Sequence, residues 1–163
     1  MKLLLFLIGE LALVTASTIW KRQAASSTGC ADRDNTVTIC SPEPQDIWHN
    51  GTYHEITWKY NNAIYARYDT LDLYLLDFQH NEYRTLKKWT GLQRTKGLLI
   101  QAVDDSWFPS PAPNNSPDRV YTLYLYLLAS NITLERELRK LTLRESFYPA
   151  PQTLTLIRKL FFS

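Results

Sequence analysis

The chain has 163 residues, which is enough for one domain with a substantial core and too few for two. It carries 18 basic and 16 acidic side chains, a formal net charge of +2. Such near balance argues against a nucleic-acid-binding protein, in which Lys and Arg concentrate on one face. Aromatic residues make up 13% of the chain, which favours β-strands and surfaces that stack on sugar-like ligands.

The first 16 residues have the layout of a secretory signal peptide. Lys2 gives a positive start, an apolar run follows over residues 3–14, and Ala16 ends a small-residue cleavage site. The alternative is a membrane anchor, which needs about 20 apolar residues, and this run is shorter. We therefore expect an extracellular protein without a membrane span, whose residues 17–35 form an N-terminal linker.

Two cysteines, Cys30 and Cys40, follow the signal sequence. An even number of cysteines in an oxidising compartment favours a disulfide bridge. The bridge would join the N-terminal segment to the first strand. In the alternative interpretation Cys40 is simply buried in that strand and Cys30 is a free thiol.

A strand, a corner, a turn and a second strand are predicted next. Residues 36–40 are rich in β-branched side chains, and Pro42 ends that strand because proline cannot donate to a sheet ladder. Gly51 supplies the positive φ that a tight reversal needs. Residues 55–60 then alternate between apolar and polar, with Trp58 as a core anchor.

Further strands follow at short spacing, and they cover residues 71–77, 83–89, 97–103 and 120–129. A Pro-, Asn- and Ser-rich loop, residues 104–118, separates the last two. Tyr121 starts the last of these strands, where immunoglobulin-like sandwiches place a tyrosine corner. This spacing predicts an all-β fold, an immunoglobulin/fibronectin-like antiparallel β-sandwich over residues 36–148.

The pattern is ambiguous after residue 131. Leucines at helical spacing in residues 132–144 indicate a short helical or irregular connection. A last strand is then expected within residues 141–148 or 153–157. We assign residues 149–163 to a C-terminal tail.

Several short motifs resemble those of a fungal family. They are Ile-Cys-Ser-Pro, Trp-His-Asn-Gly and Ile-Thr-Trp within residues 39–58, followed by Leu-Asp-Leu-Tyr-Leu at 71–75 and Tyr-Thr-Leu at 121–123. Over residues 36–130 the chain resembles the N-terminal immunoglobulin-like domain of the yeast cell-wall synthesis proteins, which also heads many Ser/Thr-rich GPI-anchored membrane proteins. The resemblance implies a secreted, non-enzymatic cell-wall or cell-surface module associated with β-glucan assembly, with a wall polysaccharide or a wall protein as its partner.

A candidate binding surface follows if strands 71–77 and 120–129 are neighbours. Tyr74, Tyr124 and Tyr126 would then form an outward aromatic strip, and tyrosine rings stack on sugar faces. The alternative is that they are ordinary cross-strand pairs, or that a covering segment such as residues 154–162 buries them. Trp107, in the long loop, is a further candidate contact.

Three Asn-x-Ser/Thr sequons are candidate glycosylation sites in a secreted protein, at Asn50, Asn114 and Asn131. Each falls in a predicted loop or at a strand end.

Patterns for catalysis or metal binding are weak. His49 and His54 flank a turn without the spacing of a zinc or copper site. Asp104 and Asp105 are adjacent, so they cannot easily form the facing carboxylates of a glycosidase. We therefore expect no enzyme activity, cofactor, metal or nucleic-acid partner. The alternative function is a secreted protein-interaction module that acts on another cell.

Overall fold

The structure is a computed structural model that describes residues 27–110 and 117–159. Its elements in chain order are α1 (Ser27–Ala31), β1 (Ile39–Ser41), β2 (Ile47–His49), β3 (Tyr53–Trp58), β4 (Thr70–Gln79), β5 (Glu82–Gln93), β6 (Leu98–Ala102), β7 (Arg119–Ala129), α2 (Leu134–Thr142) and β8 (Gln152–Arg158). Residues 1–26, with the predicted signal peptide, lie outside the described part.

The strands form two sheets, which confirms the predicted all-β sandwich-like fold. One sheet has three strands in the order β1-β3-β6, and the other has five in the order β2-β8-β7-β4-β5. All pairs are antiparallel except β2 and β8, which run parallel. The immunoglobulin type of the sandwich remains a prediction.

A single large core joins the two sheets. Trp58 of β3 is 1% exposed, as its predicted role of core anchor requires. The large sheet contributes alternate leucines of its central strands: Leu71, Leu73, Leu75, Leu123, Leu125, Leu127, Leu154 and Leu156. Tyr65 is fully buried between the strands and donates its hydroxyl to the Leu127 carbonyl at 2.8 Å. The period of two in these strands therefore directs one face of the large sheet inward.

The predicted disulfide is present. Cys30 of α1 and Cys40 of β1 are bonded, with Cα atoms 5.7 Å apart. Asn62 also holds this region, because its Nδ2 donates to the carbonyls of Asn35 at 2.8 Å and Val37 at 2.9 Å. The described part of the predicted linker is thus fixed to the sandwich.

The last strand corrects the predicted domain boundary at residue 148. Residues 149–163 were expected to form a tail, but β8 lies between β7 and β2 as an inner strand of the large sheet. The alternative position predicted for the last strand, residues 153–157, is confirmed. The charge of Arg158 is accommodated at the end of the core by Asp105, at 2.8 Å, and by the Ser110 carbonyl, at 2.7 Å.

Two local predictions had different outcomes. Gly51 has φ 76°, the left-handed conformation expected of the turn between β2 and β3. The Tyr121 hydroxyl is buried without a hydrogen-bond partner among the described residues, and the upstream residues 111–116, to which a tyrosine corner would bond, lie outside them. Its ring instead packs edge-on against Phe108, with centroids 5.2 Å apart.

Candidate functional site

The predicted tyrosine strip is covered by α2. Strands β4 and β7 are neighbours, with Tyr74 opposite Tyr126, as expected. Tyr74 and Tyr126 are only 4% and 2% exposed, however, because Leu134 of α2 packs with them in one apolar cluster. The covering segment is the helix and not the predicted C-terminal one. Of the three tyrosines, only Tyr124 is partly exposed.

Trp107 is a core residue. It lies in a short 3₁₀ helix after β6 and is fully buried, with its ring centroid 6.2 Å from that of Trp48 and 5.4 Å from that of Trp89. The Lys87 ammonium lies 5.7 Å from the same ring. Trp107, which was predicted to be a surface contact, therefore belongs to a packed aromatic cluster at one end of the sandwich.

A groove of about 680 Å³ lies between α2 and the tip of the β4–β5 hairpin. Its lining residues combine aromatic, aliphatic and polar side chains: Phe78, Asn81, Glu82, Tyr83, Glu135, Leu138, Arg139, Leu141 and Thr142. We call this the α2–hairpin groove. Its size falls in the range of ligand-binding clefts.

The hairpin tip builds the aromatic wall of this groove. The two turn residues, His80 and Asn81, have φ of 52° and 64°, as in the tight turns that match strand twist. This turn pairs Phe78 with Tyr83, and their ring centroids lie 4.8 Å apart. Tyr124 supports both rings from β7, at 6.3 Å from Phe78 and 5.5 Å from Tyr83.

The opposite wall is α2, whose charges suit its dipole. Glu135 lies in the first turn and Arg139 in the last, where acidic and basic side chains respectively are favoured. Both side chains line the groove and face the hairpin.

Burial raises the pKa of the Tyr83 hydroxyl above its usual range, and the nearby Tyr124 adds to the rise. Tyr83 therefore remains a neutral hydrogen-bond donor at physiological pH.

A smaller polar pocket of about 390 Å³ lies nearer the base of the same hairpin. Its central group is Asp72, which accepts hydrogen bonds from the Ser130 hydroxyl at 2.7 Å and the Gly91 amide at 3.1 Å. The Lys88 ammonium lies 3.1 Å from its other oxygen. Burial alone would raise the pKa of Asp72, but these three donors outweigh it and hold the pKa below its usual range. We call this the Asp72 pocket.

A further cavity of about 500 Å³ lies on the other side of α2. Its wall includes Glu137, a buried carboxylate on the inward face of the helix that accepts a hydrogen bond from Ser146 and lies 3.5 Å from Lys140. Burial raises the pKa values of Tyr126 and Tyr148 to about 12, and Glu137 adds to both rises. A buried carboxylate is tolerated here because hydroxyl and ammonium groups surround it.

The predicted glycosylation sites differ in environment. Asn131 is exposed in the turn between β7 and α2. The side-chain amide of Asn50 is already hydrogen-bonded within the fold, because its Nδ2 donates to the Lys159 carbonyl at 2.9 Å. Asn114 lies outside the described residues.

The weak catalytic and metal candidates are part of the scaffold. His54 stacks on Trp48, with ring centroids 4.2 Å apart. Asp104 accepts a hydrogen bond from the Ser106 amide at 2.9 Å and so caps the 3₁₀ helix, while Asp105 pairs with Arg158. Within residues 27–110 and 117–159, we find no group of three or more His, Cys, Asp or Glu placed to hold a metal ion.

No helix in the described ranges is both long and apolar enough to cross a membrane. Comparisons with protein-family models, curated proteins and solved structures find no match for this chain.

The sequence contained partial signals for the groove. The aromatic residues Phe78 and Tyr83 flank the short connection between the predicted strands 71–77 and 83–89, and leucines recur at helical spacing in α2. Their meeting depends on how α2 folds back over the sheet, which no local pattern specifies.

Proposed function

We propose that the protein is a secreted, non-enzymatic cell-wall or cell-surface module that binds a polysaccharide in the α2–hairpin groove. The observation that carries this proposal is the groove itself, in which the rings of Phe78 and Tyr83 face polar groups of α2. Aromatic rings stack on the apolar faces of sugars, and carboxylate, guanidinium and amide groups bind their hydroxyls. The resemblance to fungal wall proteins supports the same ligand class, with β-glucan as the first polymer to test.

The test is retention of the purified protein on insoluble β-glucan, chitin and mannan. A Phe78→Ala/Tyr83→Ala double variant removes both rings of the groove. The matched control is Tyr53→Ala, which removes an aromatic ring that is 72% exposed on β3, in the other sheet. Selective retention by one polymer, lost in the double variant and kept in the control, supports the proposal.

Two outcomes count against it. Retention by none of the polymers overturns the polysaccharide function. Release of soluble sugar on incubation with wall material contradicts the non-enzymatic part, and the groove carboxylates Glu82 and Glu135 would then be the first residues to substitute. Thermal unfolding of each variant shows whether a loss of retention reflects a loss of fold.

A protein partner on another cell is the second candidate function. Leu143 and Phe147, in the segment after α2, are 66% and 88% exposed, and protruding apolar side chains are common at protein interfaces. This function predicts binding to whole cells that persists after their polysaccharide is digested and is lost in a Leu143→Ser/Phe147→Ser variant. Retention by isolated glucan would favour the first function.

A further inference from the structure

The α2–hairpin groove and the Asp72 pocket meet. Glu135, in the first turn of α2, lines both cavities. Asn131 and Thr133, in the segment before α2, line the Asp72 pocket, as does Lys88 near the base of the hairpin. One side of α2 and of the segment before it therefore borders two adjacent cavities over the outer face of β4 and β5, which we together call the channel.

The side chains on the floor of this channel change along β5 from aromatic to polar to charged. Tyr83 lies in the groove, and Thr85 and Lys88 lie in the Asp72 pocket. A ring, a hydroxyl and an ammonium group thus follow one another. Along β4, Phe78 and Asp72 mark the two ends and are six residues apart. At the rise of a β-strand this spans roughly 20 Å, the length of several linked sugar rings.

The charges of the channel nearly cancel. The Asp72 carboxylate is 5% exposed and is already neutralised by Lys88 at 3.1 Å. Glu82, Glu135 and Arg139 remain, two acids and one base. Hydroxyl groups can donate to the carboxylates and accept from the cations, whereas a strongly charged ligand would meet like charge at one of them.

We propose that the α2–hairpin groove and the Asp72 pocket form one continuous site for a neutral, linear oligosaccharide. Lys88, which lies opposite Tyr74 and contacts Asp72, binds the sugar units farthest from Phe78, and Thr85, opposite Leu76, binds the units between. This inference rests on the proposed function, because it assumes that the groove binds sugar. It adds the length of the ligand, the absence of charge on the ligand, and the residues that bind the part of the ligand beyond the groove.

The test is calorimetric titration with oligosaccharides of increasing length from the polymer that retains the protein. The protein is made both with and without N-glycosylation, because Asn131 lines the Asp72 pocket and a glycan there would block the far end of the site and leave the groove open. We expect affinity to rise with length until the channel is full. Lys88→Met should weaken the longest ligands about 10-fold, the effect of one charge-assisted hydrogen bond, and leave the shortest unchanged.

Two further variants show whether an effect of Lys88→Met comes from lost ligand contact, from misfolding or from the loss of a surface charge. Thr85→Val removes a hydroxyl but leaves the Asp72–Lys88 pair intact, and it should weaken ligands of intermediate and full length while leaving the shortest unchanged. Lys96→Met removes an exposed ammonium in the turn between β5 and β6, away from the channel, and should leave every affinity unchanged. Thermal unfolding shows whether Lys88→Met keeps its fold.

The outcomes separate this inference from the function on which it rests. Equal affinity for short and long ligands, or unchanged affinities in both Lys88→Met and Thr85→Val, would overturn the continuous site while leaving sugar binding in place. Tighter binding of an acidic or cationic oligosaccharide would overturn its neutrality. Binding of no oligosaccharide at all would overturn the proposed function itself.

Discussion

Asn50 holds Lys159 through both ends of its side-chain amide. Its Nδ2 donates to the Lys159 carbonyl at 2.9 Å, and its Oδ1 accepts from the Lys159 amide at 2.7 Å. The contact joins the turn after β2 to the residue that follows β8. It therefore closes the end of the one parallel strand pair in the described sheets.

We expect Asn50→Asp to lower the free energy of unfolding by about 1–2 kcal/mol. The substitution replaces the donor with an oxygen that faces the Lys159 carbonyl. Urea denaturation of protein made without glycosylation measures the change. The control is Asn131→Asp, in an exposed turn, which should change stability by less than about 0.5 kcal/mol. Equal effects of the two substitutions would contradict the clamp.

Arg144, two residues after the end of α2, has a backbone conformation that favours glycine. Its φ is 60°, and the amides of Arg144 and Glu145 close the helix on the carbonyls of Leu141 at 3.1 Å and Lys140 at 2.8 Å. Arg144→Gly should therefore stabilise the protein by about 0.5–1 kcal/mol, because glycine adopts this conformation without steric strain. Arg136→Gly, at an exposed position inside the helix, should destabilise it by about 1 kcal/mol. Chemical denaturation compares the two, and a loss of stability in Arg144→Gly would refute the assignment.

The buried tyrosines beneath α2 predict a loss of stability in alkali. Burial raises the folded-state pKa of Tyr126 and Tyr148 to about 12, above the usual value for an unfolded chain. Because the folded state binds these protons more tightly, their stabilisation is complete below about pH 10 and is lost as the pH rises towards 12. The free energy of unfolding should fall over this interval. Tyr126→Phe should flatten that fall, and an unchanged slope would argue against a perturbed Tyr126.

Removal of the disulfide should destabilise the fold without abolishing the sheets. A Cys30→Ser/Cys40→Ser variant loses the constraint between α1 and β1, which is worth roughly 2–3 kcal/mol for a loop of this size. The guanidinium midpoint measures the loss, and reduced wild-type protein should unfold at a similar midpoint. A variant as stable as the oxidised wild type would show that other contacts, such as those of Asn62, hold the segment by themselves.

The sequence predicted the central strands well because their pattern is local. In β4 and β7, leucines at every second position specify one buried face, and Trp58 marks the opposing sheet. Alternation also placed Tyr74 and Tyr126 together on the other face. It could not show whether that face meets water or a helix, because Leu134 reaches it only through the fold of α2.

The last strand was harder to assign than its neighbours. Leu154 and Leu156 follow the same alternation, but the sequence pattern leaves two positions open for the last strand, residues 141–148 and 153–157. In the structure Arg158 is buried beside Asp105, a partner 53 residues away in sequence. The groove shares this dependence on distant contacts, since Phe78 and Leu138 come from separate parts of the chain. Such pairings lie beyond what periodicity can predict.

The inner position of β8 also bears on how the protein folds as it is made. Strand β8 is the last in the described chain, yet it pairs with β7 on one side and β2 on the other. Until residues 152–158 have left the ribosome, β2 has no partner in the large sheet and β7 presents an open hydrogen-bonding edge. Such edges attract other chains and are where chaperones act. We therefore expect the sandwich to close only after synthesis of β8, with the nascent chain held in an open and aggregation-prone form until then.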